Sequence, residues 1–207
     1  MKILSVILSC QKERKLWPNW RKEHAVIICG NPQLKENFEL KENILFVKGP
    51  DRYDLLPFKM ICAYNAVLQI KELSSYTHVL KYDGHDTKIS PQQIEDLEKK
   101  LDKEDNYCGW RIFRKTWKNN REHHFANTPE GSFWYEKRYN GPIEDWFNGG
   151  DSYILSRKSL KIISEKYNFN SQQEVTKSHI FEDTMIGLIL HEKGILPKQI
   201  DYKIIKT

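Results

Sequence analysis

The chain has 207 residues, of which 39% are hydrophobic and 29% charged, and it carries a formal net charge of +5. This length fits one globular domain, and a mean hydropathy of −0.68 leaves no surplus of apolar residues for a protein embedded in a membrane. The modest positive charge suits a phosphate-bearing ligand, but it is too small and too dispersed to favour a nucleic acid as partner. We therefore expect a soluble protein that binds no nucleic acid.

Four short apolar segments in the first half predict strands buried on both faces, as in a parallel sheet. They are Ile3–Leu8, 25–29, Ile44–Val47 and 77–82. Apolar residues recur at spacings of three and four from Leu56 to Leu73, which predicts one amphipathic helix that crosses over the sheet. A second helix is predicted after Ser90, whose side chain suits an N-cap, with Pro91 in its first turn.

The second half of the chain has a less regular pattern. Short aromatic strands and long polar connections are predicted from residue 107 onward, with a loop region over 114–141. Order returns with a strand at 152–155 and a helix from about 157 to 167. A polar loop follows, and then an apolar helix from 182 to about 191.

Together these elements predict a single α/β domain over residues 1–207, with a mostly parallel, Rossmann-like central sheet and an irregular second half. In such a fold a nucleotide-type ligand binds at the carboxyl ends of the strands. The first apolar run is too short to span a bilayer, and the four cysteines contain no C-x-x-C pair. We therefore expect no membrane span, no zinc site, no disulfide framework and a cytoplasmic location.

The strand predicted at 77–82 leads into Asp83, Gly84, His85 and Asp86. In an extended chain Asp83 and His85 would point to the same side, and Gly84 would let a diphosphate approach closely. A divalent cation held by these groups, Mn²⁺ or Mg²⁺, would bridge the two phosphates of a nucleotide sugar. The alternative is an ordinary polar turn, because Asp and Gly are common turn residues, and the tetrapeptide alone leaves both interpretations open.

Four short blocks follow one another along the chain between residues 51 and 197. They are DRYDLLPFK (51–59), KYDGH (81–85), WFNGGDSYILS (146–156) and FEDTMIG (181–187), the last followed by KGILP (193–197). In this order they resemble the GT-A glycosyltransferases, in particular the β1,3-galactosyltransferase and Fringe group, glycosyltransferase family 31. The chain departs from the family pattern at Leu55, where the family has Asn, and at His85, where the family has a carboxylate. The resulting D-x-H pattern is similar to that of the polypeptide N-acetylgalactosaminyltransferases.

The resemblance implies a metal-dependent, inverting transfer of a sugar from a nucleoside-diphosphate sugar, with a UDP-sugar favoured, to a hydroxyl group of a glycan. Asp183 is then the base that takes the acceptor proton, and Glu182 binds acceptor hydroxyls or is itself the base. The metal ligands are Asp83 together with His85 or Asp86. The alternative for the Glu-Asp pair is a helix start whose carboxylates are stabilised by the helix dipole.

The resemblance also implies a nucleotide-sugar-binding half, 1–106, and an acceptor-binding half, 107–207. The donor-binding candidates are Ser9, Gln11, Arg14, Asp51, Lys59, Asp83 and Gly84. The acceptor-side candidates are Trp146, Phe147, Gly149, Gly150 and Asp151. Structural interpretations compete for three of these groups: a polar loop after the first strand, a solvated lysine at 59, and a hydrophobic wedge at 146–147. In its shortness and its lack of an evident anchor, the chain is more similar to the compact soluble enzymes of bacteria and of large DNA viruses.

Two other classes of protein compete with a glycosyltransferase. A metal-dependent phosphodiesterase or nuclease would place Asp83, Asp86, Glu182 and Asp183 around a cation and grip a phosphate backbone with the basic residues of 111–121. A non-catalytic module would keep the fold and bind a nucleotide sugar or carbohydrate without turnover. The dispersed charge disfavours the first class, and a glycosyltransferase remains the predicted function.

Overall fold

The computed structural model describes residues 1–20, 23–116, 125, 127–202 and 205–206, the last two by their backbone alone. The basic residues at 117–121 therefore lie outside the described part of the chain. The strands are β1 (Ile3–Leu8), β2 (Ala25–Gly30), β3 (Phe38–Lys41), β4 (Ile44–Val47), β5 (His78–Asp83), β6 (Thr87–Lys88), β7 (Tyr107–Gly109), β8 (Ile112–Phe113), β9 (Trp146–Phe147), β10 (Tyr153–Ser156), β11 (Lys198–Gln199) and β12 (Ile205–Lys206). The α-helices are α1 (Trp17–Trp20), α2 (Leu56–Gln69), α3 (Pro91–Lys100), α4 (Arg157–Lys166), α5 (Gln172–Ser178) and α6 (Glu182–His191).

Eight of the strands form one sheet in the spatial order β11-β7-β10-β5-β1-β2-β4-β3. The four strands predicted from the apolar segments are β1, β2, β4 and β5, and they lie side by side and parallel. Strand β10 is antiparallel to both of its neighbours, and β3 pairs antiparallel with β4 at one edge. The predicted α/β class with a mostly parallel central sheet is confirmed.

Strand β1 shows why the sheet lies between two layers. Leu4, Val6 and Leu8 face the cluster that contains α2, whereas Ile3 and Ile7 face the opposite cluster with α3. Helices α2, α4 and α6 pack on one another over the first face. Each fully buried aliphatic side chain contributes about 1.5–3 kcal/mol, so the two-sided burial of the parallel strands and the helices packed on them together stabilise the core.

The helices of the first half largely follow the predictions. Helix α2 starts at Leu56 as expected but ends at Gln69, because Ile70 adopts an extended conformation with ψ of 116°. A short 3-10 helix, Lys71–Leu73, continues the apolar pattern. Helix α3 begins with a capping box, in which the Ser90 hydroxyl accepts from the Gln93 amide at 3.2 Å and the Gln93 side chain accepts from the Ser90 amide at 2.7 Å.

The second half contains the predicted aromatic strands. Its two predicted helices are α4 and α6, and both lie at the expected places. The polar connection between them was expected to be a loop, and this prediction is wrong over Gln172–Ser178, which forms α5 around the buried Val175. Strand β3 was not predicted, because its four residues are mostly half-exposed and give no apolar run. Within the described residues, none of the helices combines the length and the apolar composition needed to cross a membrane.

Candidate active site

A pocket of about 650 Å³ opens at the carboxyl ends of β1 and β5. This is the edge of the sheet where a nucleotide-type ligand was predicted to bind. The segments that meet there include the turn after β1, the start of α2 and the turn after β5. The segment 148–150 and the start of α6 complete this part of the lining. The predicted site residues that line it are Ser9, Asp51, Lys59, Asp83, His85, Asp86, Gly149, Gly150, Glu182 and Asp183. Tyr53 and Phe181, which were not predicted, also line the pocket.

Six predicted site residues do not line the pocket: Gln11, Arg14, Gly84, Trp146, Phe147 and Asp151. Gln11 is exposed and donates its backbone amide to Asp51, and Arg14 is exposed on the neighbouring turn. A Cβ on Gly84 would lie 2.9 Å from both Ile7 and Trp20. Gly84 therefore allows Ile7 and Trp20 to pack closely against this turn.

Trp146 and Phe147 are 2% and 1% exposed, so the proposed sugar platform is wrong for these two side chains. The Trp146 ring packs at 5.6 Å from that of Phe113, and the Phe147 ring at 4.8 Å from that of Tyr107. Both residues belong to β9, which pairs with β8 and turns its side chains into the protein. The competing interpretation, a hydrophobic wedge that packs the second half, describes them correctly.

Asp51 and Lys59 form a largely buried ion pair at the wall of the pocket, with Lys59 Nζ 3.0 Å from Asp51 Oδ1 and with 12% of the Asp51 side chain and 8% of the Lys59 side chain exposed. Asp51 also accepts the backbone amides of Gly30 at 2.7 Å and Gln11 at 2.9 Å. Lys59 in turn donates to the Ser9 carbonyl at 2.7 Å. The pair therefore joins the ends of β1 and β2 to the start of α2, and Lys59 is neither a solvated lysine nor paired with the carboxylates after β5.

Lys81 lies at the centre of a second buried network behind the pocket. Its ammonium donates to Asp83 Oδ1 at 2.7 Å, to Glu182 Oε1 at 2.8 Å and to the Gly149 carbonyl at 2.9 Å. Burial acts to lower the pKa of Lys81, but Asp83 and Glu182 together raise it above its usual value, so the lysine stays charged. Burial raises the pKa of Glu182, with Lys81 acting against this shift and Asp183 adding to it. The Glu182 Oε2 atom accepts from the Tyr153 hydroxyl at 2.7 Å.

Asp183 is 3% exposed and is held by backbone donors at the start of α6. Its Oδ2 atom accepts the Gly149 amide at 3.0 Å, and its Oδ1 atom accepts the Thr184 amide at 2.8 Å. Two backbone donors fix the orientation of the carboxylate at the pocket wall, and the helix N-terminus favours its negative charge. Glu182 and Asp183 can therefore be stabilised by the helix dipole at the start of α6 and also have a role at the site.

Asp83 at the end of β5 and His85 and Asp86 just after it carry carboxylate and imidazole groups, which are suitable ligands for a divalent cation. Asp83 Oδ2 and Asp86 Oδ2 lie 4.0 Å and 3.4 Å from the position that a Cβ on Gly150 would occupy, so both carboxylates face one space. His85 is turned toward Glu13, with Nδ1 at 2.9 Å from Oε1, and its Nε2 lies 3.5 Å from Asp86 Oδ1. Among the described residues, no three acidic, His or Cys side chains form a ready metal cluster. One or two carboxylates completed by substrate phosphates are nevertheless a usual site for Mg²⁺.

Lys81 and Tyr153, which hold Glu182, were not predicted as site residues. Lys81 could have been found from the sequence. It is a charged residue inside the apolar run of β5, two positions before Asp83. In a strand this spacing places both side chains on one face. Tyr153 is the register partner of Lys81 across the antiparallel pair of β10 and β5, which the sequence does not reveal.

The fold and the pocket define an α/β protein with a ligand site at the carboxyl edge of its sheet, lined by carboxylates. A family model described as Galactosyltransferase matches residues 32–201. The chain therefore belongs to the galactosyltransferase family and is a glycosyltransferase, which confirms the resemblance seen in the four blocks. The match includes Asp51, Asp83 and Asp183. No match was found among curated proteins.

Proposed function

We propose that the protein transfers a sugar from a UDP-sugar to a hydroxyl group of a glycan, with inversion at the sugar carbon and with a divalent cation at the donor phosphates. The observation that carries this proposal is that one pocket brings together Asp83 and Asp86 after β5 and Asp183 at the start of α6. Family membership favours glycosyl transfer over phosphodiester hydrolysis and over binding without turnover.

Asp183 acts as the base in this proposal. As the acceptor oxygen bonds to the sugar carbon and the bond to the diphosphate breaks, the acceptor proton passes to the Asp183 carboxylate. Gly149 and Thr184 orient that carboxylate through their amides, so it needs little rearrangement when the substrate arrives. Glu182 is less suited to this role, because its carboxylate forms a buried ion pair with Lys81, whereas the contacts described for Asp183 are with neutral backbone amides.

Asp83 and Asp86 would hold the cation, Mn²⁺ or Mg²⁺, with His85 beside them. A cation held there would neutralise the charge that develops on the departing diphosphate. The pair of Asp51 and Lys59 supports the donor side of the pocket by fixing the turn after β1, which includes Ser9. Gly149, Gly150 and the neighbouring Phe181 and Tyr53 form the wall of the same pocket and are proposed to face the acceptor.

The stereochemistry of the product tests this proposal. With UDP-α-galactose, Mn²⁺ and either water or a panel of β-linked glycans as acceptor, we expect the first product in proton NMR to carry the β anomeric signal. A first product with the α signal would contradict inversion. Release of no sugar from UDP-galactose, UDP-glucose or the UDP-N-acetylhexosamines would contradict the proposed donor.

A further inference from the structure

The backbone of Gly149 connects the two carboxylate groups of the pocket through the two peptide units that meet at its Cα. Its carbonyl accepts the Lys81 ammonium at 2.9 Å, and its amide donates to Asp183 Oδ2 at 3.0 Å. Lys81 also holds Asp83 on the donor side at 2.7 Å. A continuous chain of hydrogen bonds therefore runs from Asp83 through Lys81 and Gly149 to Asp183.

Lys81 has little freedom in this arrangement. Its side chain is 1% exposed, and its three N–H groups have three acceptors, namely Asp83, Glu182 and the Gly149 carbonyl. The charged groups and hydroxyls that face it come from β5, β10, α2 and α6. Asp83, Glu182 and Tyr153 contact Lys81 directly, whereas Tyr64 bonds to the Tyr153 hydroxyl and Asp183 acts on Glu182. Lys81 itself does not line the pocket, so it does not touch the substrate.

The lack of space around Gly149 is independent evidence that Lys81 and its partners are closely packed. A Cβ at this position would clash with Glu182 Oε1 and would lie 3.1 Å from Lys81 Nζ. The neighbouring Gly150 differs, since its Cβ would meet its nearest atoms at 3.4 Å, an ordinary contact. Position 149 therefore has room for glycine alone while the ion pair of Lys81 and Glu182 is intact.

We propose that Lys81 is a positioning residue for the transfer reaction, which sets the Asp183 carboxylate relative to Asp83 by holding the backbone of Gly149 at its carbonyl. This inference rests on the proposed function in one respect, since it takes Asp183 to be the base. Small displacements of a catalytic group are costly: about 1 Å of misplacement reduces turnover by about 100-fold. A lysine that never meets the substrate thereby affects the rate of the reaction.

A double-mutant cycle on turnover tests the proposal. With UDP-galactose and Mn²⁺, we expect Lys81→Met to lower kcat per folded molecule by about 100-fold. In the Asp183→Asn background the same change should lower kcat by less than about threefold, because the group that it positions is already gone. A merely structural role would give equal losses in both backgrounds, and that result would overturn the proposal. Lys99→Met on α3, which changes a lysine that is 73% exposed and lies outside the pocket, is the matched control expected to keep wild-type kcat.

Hydrogen exchange gives a second readout that does not depend on turnover. In Lys81→Met we expect the Gly149 amide to exchange at least 10-fold faster than in the wild type, while amides of β1 keep their protection. Unchanged protection of Gly149 would overturn the proposal, whatever the protein does with UDP-galactose. Because Lys81→Met leaves Glu182 buried without its cation, the experiment includes Lys81→Met/Glu182→Gln, which removes both charges and should fold more stably. In that variant Gly149 should still exchange faster than in Glu182→Gln alone.

Discussion

Replacing Asp183 by Asn is expected to lower kcat by about 10²- to 10⁴-fold, the usual contribution of a general base. The carboxylate lines the pocket and accepts two backbone amides, from Gly149 and Thr184. The amide of Asn is too weak a base to take a proton from an acceptor hydroxyl. Its oxygen keeps one of the two hydrogen bonds, and its NH₂ group faces the other donor, which costs about 1–3 kcal/mol of folding free energy.

The measurement is steady-state kinetics with UDP-galactose, combined with urea unfolding to show that the variant is folded. Asp96→Asn on α3 is the matched control, since Asp96 is about half-exposed and lies outside the pocket. We expect this control to match the wild type in both kcat and stability. A kcat within threefold of wild type for Asp183→Asn would remove Asp183 from the role of base and return it to Glu182.

The second large effect is on stability. Replacing Asp51 by Ala is expected to lower the free energy of unfolding by about 3–5 kcal/mol, the usual cost of breaking a buried ion pair from one side. Lys59 would be left 8% exposed without its carboxylate, and the amides of Gly30 and Gln11 would lose their acceptor. The thiol of Cys29, which donates to Asp51 Oδ2 at 3.2 Å, would lose its acceptor as well.

Urea unfolding measures this loss directly, with Glu39→Ala as control. Glu39 pairs with Lys41 at 2.9 Å on the edge strand β3, and both side chains are well exposed. An exposed pair of this kind contributes less than about 1 kcal/mol. Equal losses in the two variants would contradict the assignment of Asp51 and Lys59 as a structural pair that joins β1, β2 and α2.

The central part of the fold could be predicted from the sequence because its pattern is local. A run such as Ile3–Leu8 is buried on both faces, and it has the composition of a parallel strand without reference to its neighbours. Helix α6 begins and ends where its composition predicts. Strand β3 and helix α5 lack such a signal, since their residues are mostly polar or half-exposed and their burial depends on distant segments.

The candidate site could be predicted only in part, for a related reason. The blocks around Asp83 and Asp183 pointed to one site, and both residues line one pocket. Trp146 and Phe147 belong to a matching block as well, but a motif does not reveal that other segments cover both faces of this short strand. The network of Lys81 joins residues up to 101 positions apart, and no spacing in the sequence indicates such a contact.

The most direct test of the proposed function is calorimetric titration of UDP-galactose into the protein with and without Mn²⁺, and into Asp83→Asn. We expect binding that requires Mn²⁺ and that weakens at least 10-fold in the variant, because in the proposed function Asp83 would supply a ligand to the cation at the donor phosphates. UDP-N-acetylglucosamine, GDP-mannose and dTDP-glucose in the same titration would show which nucleotide and sugar the pocket prefers. Absence of binding for all four donors at millimolar concentration, or binding unchanged by Mn²⁺ and by Asp83→Asn, would contradict a metal-assisted nucleotide-sugar site in this pocket.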